Sequence, residues 1–261
     1  MRSLSIGATG MLAQQTNVDV ISNNIANMNT TAYTRRRAEF SDLLYESYKR
    51  VGANSSDTGT IVPDGIQIGM GVKTTAVYRI TGGNSVTYTG NSLDVAAQGR
   101  GYFQIELPSG ETAYTRDGSF QRSDAGQIVT HEGYQVIPGI TIPDNATDVY
   151  IDYTGQVSVK VDQQVQPQIL GQLQLATFVN EAGLEPRGDN LFLETPASGA
   201  PVVGNPGAVG FGTILQGYLE TSNVNVVSEI TNLISAQRAY EMNSKVIQTS
   251  DEMLRTVSTL K

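Results

Sequence analysis

The chain of 261 residues has no cysteine, no tryptophan, one histidine and only 16% charged residues. The missing cysteine excludes a disulfide scaffold and any thiolate metal site. With a single histidine, His131 in the stretch VTHEGYQ, an imidazole general base or a multi-histidine metal centre would have to be built around one side chain. No run approaches the roughly 18 uninterrupted apolar residues of a membrane-spanning helix, so direct membrane insertion is not expected. The start, MRSLSIGATGMLAQQ, lacks the basic flank and short apolar core of a cleavable leader, and any export is expected to bypass the general secretory route. Basic residues are also scarce, 17 Lys and Arg against 25 Asp and Glu, and a net charge of −8 opposes attachment to phosphate backbones or anionic lipid. Nucleic acid is not an expected partner. No cofactor is expected either: Gly65, Gly69 and Gly71 in DGIQIGMG lack both the dinucleotide fingerprint and the Lys-Ser/Thr of a P-loop, and read as bends.

What the chain does have is two helical stripes at its ends. Leu4, Ala8, Met11, Gln15, Val18, Ser22 and Ile25 recur at spacings of three and four, with Ile21 and Met28 widening the stripe. Between Met1 and Tyr33 only Arg2 and Asp19 are ionised, and Asn17, Asn23, Asn24, Asn27 and Asn29 are poor helix formers, so this helix needs neighbours. Near the other end Val226, Ile230, Leu233, Gln237, Tyr240, Ser244, Ile247, Asp251 and Leu254 form a second stripe, drifting on through Val257 and Leu260. Asn225 is placed as its N-cap, and Glu229 lies in its first turn. The two stripes predict that the termini pair as a coiled coil.

The middle reads as antiparallel β structure, with short alternating runs between turn signals about ten residues apart. Val72 to Ile80 alternate, as do Phe103, Ile105 and Leu107 with Gln104 and Glu106. Turns are expected at Pro108-Ser109-Gly110, Asp117-Gly118, Ala125-Gly126, Glu132-Gly133 and Thr154-Gly155. Further strands are expected over Val149 to Tyr153, Val157 to Val161 and Ile169 to Phe178, with an extended return path from Thr195 to Gly212. The fold class predicted is α+β, with discontinuous terminal helices forming a coiled coil and a mainly antiparallel β middle domain.

Catalysis finds little footing. Asp144, Asp148, Asp152 and Asp162 are the paired carboxylates available to a hydrolase, but such pairs must flank a cleft about 5 to 9.5 Å apart, and nothing in the spacing predicts one. They read as solvated strand ends. Arg35-Arg36-Arg37 is too short a basic run for nucleic acid and reads as a set of ion-pairing groups between subunits. Leu4, Met11, Val18, Ile21, Ile25, Val226, Ile230, Leu233, Tyr240, Ile247 and Leu254 are the candidate assembly contacts. Polar residues interrupt both stripes and would need bonding partners that a lone helical hairpin cannot offer. The Asn and Gln of the first stripe are expected to satisfy one another and neighbouring chains, or to line a channel.

Ser22-Asn23-Asn24-Ile25-Ala26-Asn27, then Asn29-Thr30-Thr31-Ala32-Tyr33 and Arg37-Ala38-Glu39-Phe40, resemble the N-terminal signature of the axial proteins of the bacterial flagellum, the rod and hook family. Ala32 stands where that pattern usually has glycine. Leu219 to Val227, then Ala236-Gln237-Arg238-Ala239-Tyr240-Glu241, Asn243-Ser244-Lys245 and Asp251-Glu252-Met253-Leu254, resemble the matching C-terminal signature. In the interior, Gly99-Arg100-Gly101-Tyr102-Phe103 and Ala113 to Phe120 are similar to the small β domain of rod proteins. The stretch from about 45 to 71 resembles the one that sets distal rod members apart from hook proteins.

The resemblance implies three domains: a helical core of 1–33 and 223–261, a connecting domain of 34–85 and 205–222 that includes the rod-specific stretch, and an outer β domain of 86–204. It implies a non-enzymatic structural subunit that polymerises helically into the rigid hollow distal rod of the basal body, across the periplasm toward the outer membrane. The implied partners are further copies of the chain, proximal rod proteins below, hook protein above, the surrounding P- and L-ring proteins, and the type III export apparatus that would deliver the chain unfolded. A proximal rod or hook-type paralogue and a coiled-coil adaptor outside the flagellum are the alternatives.

Overall fold

The first apolar stripe forms α1 (Arg2–Ala26) and the last forms α2 (Val226–Thr259). These helices come from a computed structural model, which describes residues 2–49, 64–161 and 166–259. Residues 50–63 of the rod-like stretch, Asp162 and Leu260 lie outside the described residues. Asn225 caps α2 as expected, its Oδ1 accepting the Ser228 N–H at 3.1 Å. The two helices pack along one another. Their direction follows from facing residues: Gly7 lies against Ile247, Gly10 against Asn243, and Asn24 against Glu229, so the pair is antiparallel.

The chain forms two compact units interleaved in sequence. One comprises residues 1–26, 36–79 and 224–261; the other comprises 27–35 and 80–223. In the helical unit, β1 (Arg36–Asp42) pairs antiparallel with β4 (Val72–Arg79), and nested within them β2 (Tyr45–Lys49) pairs with β3 (Ile66–Gly69). This long ribbon returns to α1 at a bend where Gly71 adopts φ +120° and packs against Thr9, a contact that leaves no room for a side chain.

The β unit runs through β5 (Val86–Tyr88), β6 (Val95–Gln98), β7 (Tyr102–Glu106), β8 (Thr112–Thr115), β9 (Gln121–Arg122), β10 (Ile128–Val129), β11 (Gln135–Val136), β12 (Ala146–Ile151), β13 (Gln156–Val161), β14 (Gln168–Gln172), β15 (Leu175–Thr177), β16 (Glu185–Gly188), β17 (Leu191–Leu193), β18 (Val202–Gly204), β19 (Thr213–Gln216) and β20 (Tyr218–Glu220). Its main sheet has the order β16-β17-β8-β7-β11-β10-β9, with β15 joining β7 to β18. A three-stranded sheet, β12-β13-β14, and the ribbons β6-β19 and β5-β20 complete it, and every strand pairing among the described residues is antiparallel.

Alternation along β7 places Phe103 and Ile105 in the main core with Val157, Val159, Leu173 and Ile214, all almost wholly buried. Tyr102 points the other way, into a second cluster with Tyr114, Ala176, Phe178 and Leu184, so this strand is covered on both faces. The single strand expected over Ile169 to Phe178 is in fact two. Leu173 turns aside to give its N–H to the Gly155 carbonyl at 2.7 Å, leaving β14 and β15 in different sheets.

Candidate assembly interface

The buried residues of the helix pair are mostly small or polar. On α1 the buried residues are Gly7, Ala13, Ile21 and Asn24; on α2 they are Glu229, Ala236 and Ser250. A Cβ at Gly7 would stand 2.9 Å from Ile247 Cγ1, and one at Gly10 would stand 2.8 Å from Asn243 Nδ2. The helices therefore approach closely, with Ile247 of α2 laid over Gly7, while many of the other large side chains of α2 are exposed. Among the candidate contacts Ile21 is buried, Leu4, Met11, Val18, Ile25, Val226, Leu233 and Ile247 are half-buried, and Ile230, Tyr240 and Leu254 are exposed. Val227 and Met242 are exposed further, at 76% and 64%. Of the signature residues, Asn24 and Ala236 are buried, Asn27, Ala239 and Asn243 half-buried, and Ser22, Asn23, Ala26, Gln237 and Arg238 exposed. A second apolar surface lies on the nested ribbon, where Leu44, Tyr45, Tyr48, Ile66, Ile68 and Met70 are all exposed. Arg2 holds the near end of that ribbon, pairing with Glu46 at 2.7 Å and lying 4.6 Å from the Tyr48 ring centroid.

Two asparagines organise the backbone within their own units. Asn24, 1% exposed, accepts the Arg36 N–H through Oδ1 and donates to the Arg36 carbonyl through Nδ2, both at 2.8 Å. Its other amide hydrogen reaches Glu229 Oε2 at 3.3 Å. In the β unit Asn223 accepts the Arg35 N–H at 2.7 Å and donates to the carbonyls of Ile80 and Gly82, each at 2.9 Å. Sequence reasoning gave Asn24 partners in other chains or a channel and gave Asn223 no role. Its one legible signal was that an amide is the short side chain that offers both an acceptor and two donors.

The segment 27–35 is strapped into the β unit at successive groups. Asn190 Nδ2 donates to the Thr31 carbonyl, the Ala32 N–H donates to the Glu220 carbonyl at 2.9 Å, and Ile80 N–H donates to the Arg35 carbonyl at 2.9 Å. Ala32 is left-handed at φ +56°, a conformation in which glycine is the least strained residue. Beside it lies a buried ion pair, Arg116 with Glu220, in which Arg116 also donates to the carbonyls of Ala97, Gly99 and Gly101. Burial raises the Glu220 pKa, and Arg116 and Asn84 oppose that rise.

Among the described residues, the groups considered for other chemistries stand apart. His131 is exposed and contacts Gln121. Asp144, Asp148 and Asp152 are exposed, with Asp144 paired to Arg122 and Asp152 accepting the Tyr153 N–H. Among the described residues no group of three or more His, Cys, Asp or Glu is placed to hold a metal, and no helix is long and apolar enough to cross a membrane. Arg37 pairs with Glu39 of its own chain at 3.0 Å and lies over Tyr78.

Comparison with known proteins gives three family matches: flagella basal body rod protein over residues 4–34, flagellar hook protein FlgE/F/G D1 domain over 96–159, and flagellar basal body rod FlgEFG protein C-terminal over 215–260. The flagellar basal-body rod protein FlgG of Caulobacter vibrioides is 61% identical over the whole of both chains. That of Agrobacterium fabrum is 55% identical over 99% of this chain and 98% of its own. The flagellar hook-basal body complex protein FlhP of Bacillus subtilis is more distant, 27% identical over the whole of both chains.

Proposed function

The chain belongs to the flagellar basal-body rod protein family, and from that premise we propose that it is a structural subunit of the distal rod, polymerising into a hollow shaft that carries torque from motor to hook. The observation that carries this reading is the helix pair itself. Its buried residues are mostly small or polar, and Val227, Ile230, Ile234, Tyr240, Met242, Val246, Met253 and Val257 are left exposed on α2. A soluble monomer rarely keeps so long an apolar surface uncovered, and heterologous contacts between copies related by a helical operator would bury it. Ile230, Tyr240 and Leu254 are then contacts between subunits, while Ile21 is buried within one subunit.

In this reading 1–33 and 223–261 form the wall of the shaft, 34–85 and 205–222 connect, and 86–204 faces outward. Proximal rod proteins, hook protein and the P- and L-ring proteins are its neighbours in the basal body, across the periplasm. The flagellar type III apparatus delivers it, and no catalytic role is assigned. The greater identity to FlgG than to FlhP favours the distal rod over a paralogue.

The test is electron microscopy and sedimentation of the purified full-length chain over a range of concentrations. Straight tubes that grow with concentration are expected. A discrete monomer that persists at high concentration, with both helices formed, would instead make the chain an adaptor.

A further inference from the structure

Within the helical unit an open groove of about 520 Å³ runs between α1 and the β1–β4 ribbon. Leu12 and Leu43 give it apolar walls, and Asp19 and Lys73 stand in its lining as exposed charges. Leu12 itself is left 64% exposed. We propose that this groove is the seat for α2 of a second copy of the chain, taken by the helix face that carries Lys245, Val246, Thr249, Glu252 and Met253.

Those five residues recur at spacings of three, four and seven, so they share one face of α2, and all five are exposed. On that face Val246 and Met253 form an apolar strip with a cation beside one end and an anion beside the other. The groove offers the same elements with the charges in the complementary order. Val72 N–H donates to Thr9 Oγ1 at 3.4 Å, which sets Lys73 near the level of Thr9, and Asp19 lies ten residues further along α1, about 15 Å away. Lys245 and Glu252 are seven residues apart, about 10 Å, and the flexible four-carbon stems of the two lysines span the difference. Laid antiparallel to the host α1, the incoming α2 brings Lys245 to Asp19, Glu252 to Lys73, and its apolar strip onto Leu12. Laid parallel, it would set Lys245 beside Lys73 and Glu252 beside Asp19, two like-charge contacts that fix the direction by opposing it. Among the described residues none of these four charges has an ion-pair partner in its own chain. The groove and the helix face are different surfaces of one chain, so every copy supplies both and the contact propagates instead of closing on itself. The choice of a second copy as occupant rests on the rod reading above.

Charge exchange in the full chain tests the seat. Asp19→Lys and Lys245→Glu each set like charges together, and each is expected to raise the concentration needed for tube growth by about tenfold or more, with monomer melts unchanged. The chain carrying both substitutions is expected to return to within about threefold of the parent, because the pair is restored with its signs reversed. A double variant no better than the singles overturns the proposal. Cross-linking reads the same contact without tubes. The chain has no cysteine of its own, so a Leu12→Cys chain and a Met253→Cys chain hold one thiol each. Mixed below the growth concentration under a mild oxidant, they are expected to form the mixed disulfide about tenfold faster than either forms a disulfide with its own kind. Equal rates count against the seat. Tubes from the parent with neither charge rescue nor a preferred cross-link would keep the rod reading and discard the seat. A preferred cross-link with no tubes from the parent at any concentration would keep the seat and sink the rod reading.

Discussion

Arg116 Nε donates to both carboxylate oxygens of Glu220, at 2.8 and 3.2 Å, with both groups almost entirely removed from water. Its remaining nitrogens bind the Ala97 carbonyl of β6 and those of Gly99 and Gly101 in the turn that follows, so one guanidinium fastens that turn to β20. Removing one partner of such a pair leaves a buried uncompensated charge and costs about 3 to 5 kcal/mol. Arg116→Met is expected to destabilise the β unit by that amount in denaturant melts. Its effect should also depend on pH. Burial already holds the Glu220 carboxyl above the usual glutamate value of 4.5, so the folded chain binds this proton more tightly than the unfolded one. The contribution of Glu220 to stability is therefore fullest below 4.5 and is lost as pH rises through the folded value. Without Arg116 that value moves higher still. The deficit of Arg116→Met relative to the parent should grow between about pH 4 and pH 7, and a deficit that stays flat would contradict this account.

Ala32 pays the steric penalty of a left-handed residue, roughly 1 to 2 kcal/mol, against which glycine loses some entropy and a buried methyl. Ala32→Gly is expected to stabilise the chain by about 0.5 kcal/mol, and Ala32→Val to destabilise it by more than about 1 kcal/mol. Thermal melts that rank valine above glycine would show that the strap is not strained at this point.

Two glycines in hairpin-like turns should respond very differently to alanine. Gly110 sits in the open turn after β7 at φ +83°, with nothing near its missing side chain, and Gly110→Ala is expected to cost about 1 kcal/mol from backbone strain alone. At Gly118 an added Cβ would fall inside the contact radius of the Val95 carbonyl oxygen, in buried backbone that has no room to yield. Gly118→Ala should cost roughly 3 kcal/mol or more, measured as loss of the cooperative melt of the β unit.

The outward residues of α2 separate folding from polymerisation. Ile230→Ser and Leu254→Ser are expected to change monomer stability by less than about 1 kcal/mol and to abolish tube growth. Ile21→Ala, at a site 4% exposed, should instead destabilise the helical unit by about 2 kcal/mol or more. Normal tubes from both serine variants would move the contacts elsewhere.

Much of this architecture was legible in local patterns. The three-four spacing marked both helices, Asn225 marked the start of α2, and alternation marked β4, β7 and β13 within a residue or so. Ala32, standing where glycine is usual, pointed to a turn that proves left-handed. What stayed hidden depends on partners far apart in the chain. The stripe of Leu4 to Ile25 said nothing of Gly7 and Gly10, because small residues carry no hydropathy signal although they set how near two helices can come. Glu229 reads only as a first-turn acid of α2, and nothing local to it predicts burial against Asn24. The split of Ile169 to Phe178 between two sheets hinges on one hydrogen bond to Gly155, which no local rule encodes.

Asn24 and Glu229 are neighbours separated by 205 positions, and the first helix has as its partner the last. For a chain that arrives in order from its N-terminus, α1 meets β1 and β4 early, but its helical partner comes only after nearly every other residue has been delivered. The pairing of the two helices thus carries a delay set by topology. Its high contact order slows closure, and the arrival of the C-terminus acts as the trigger.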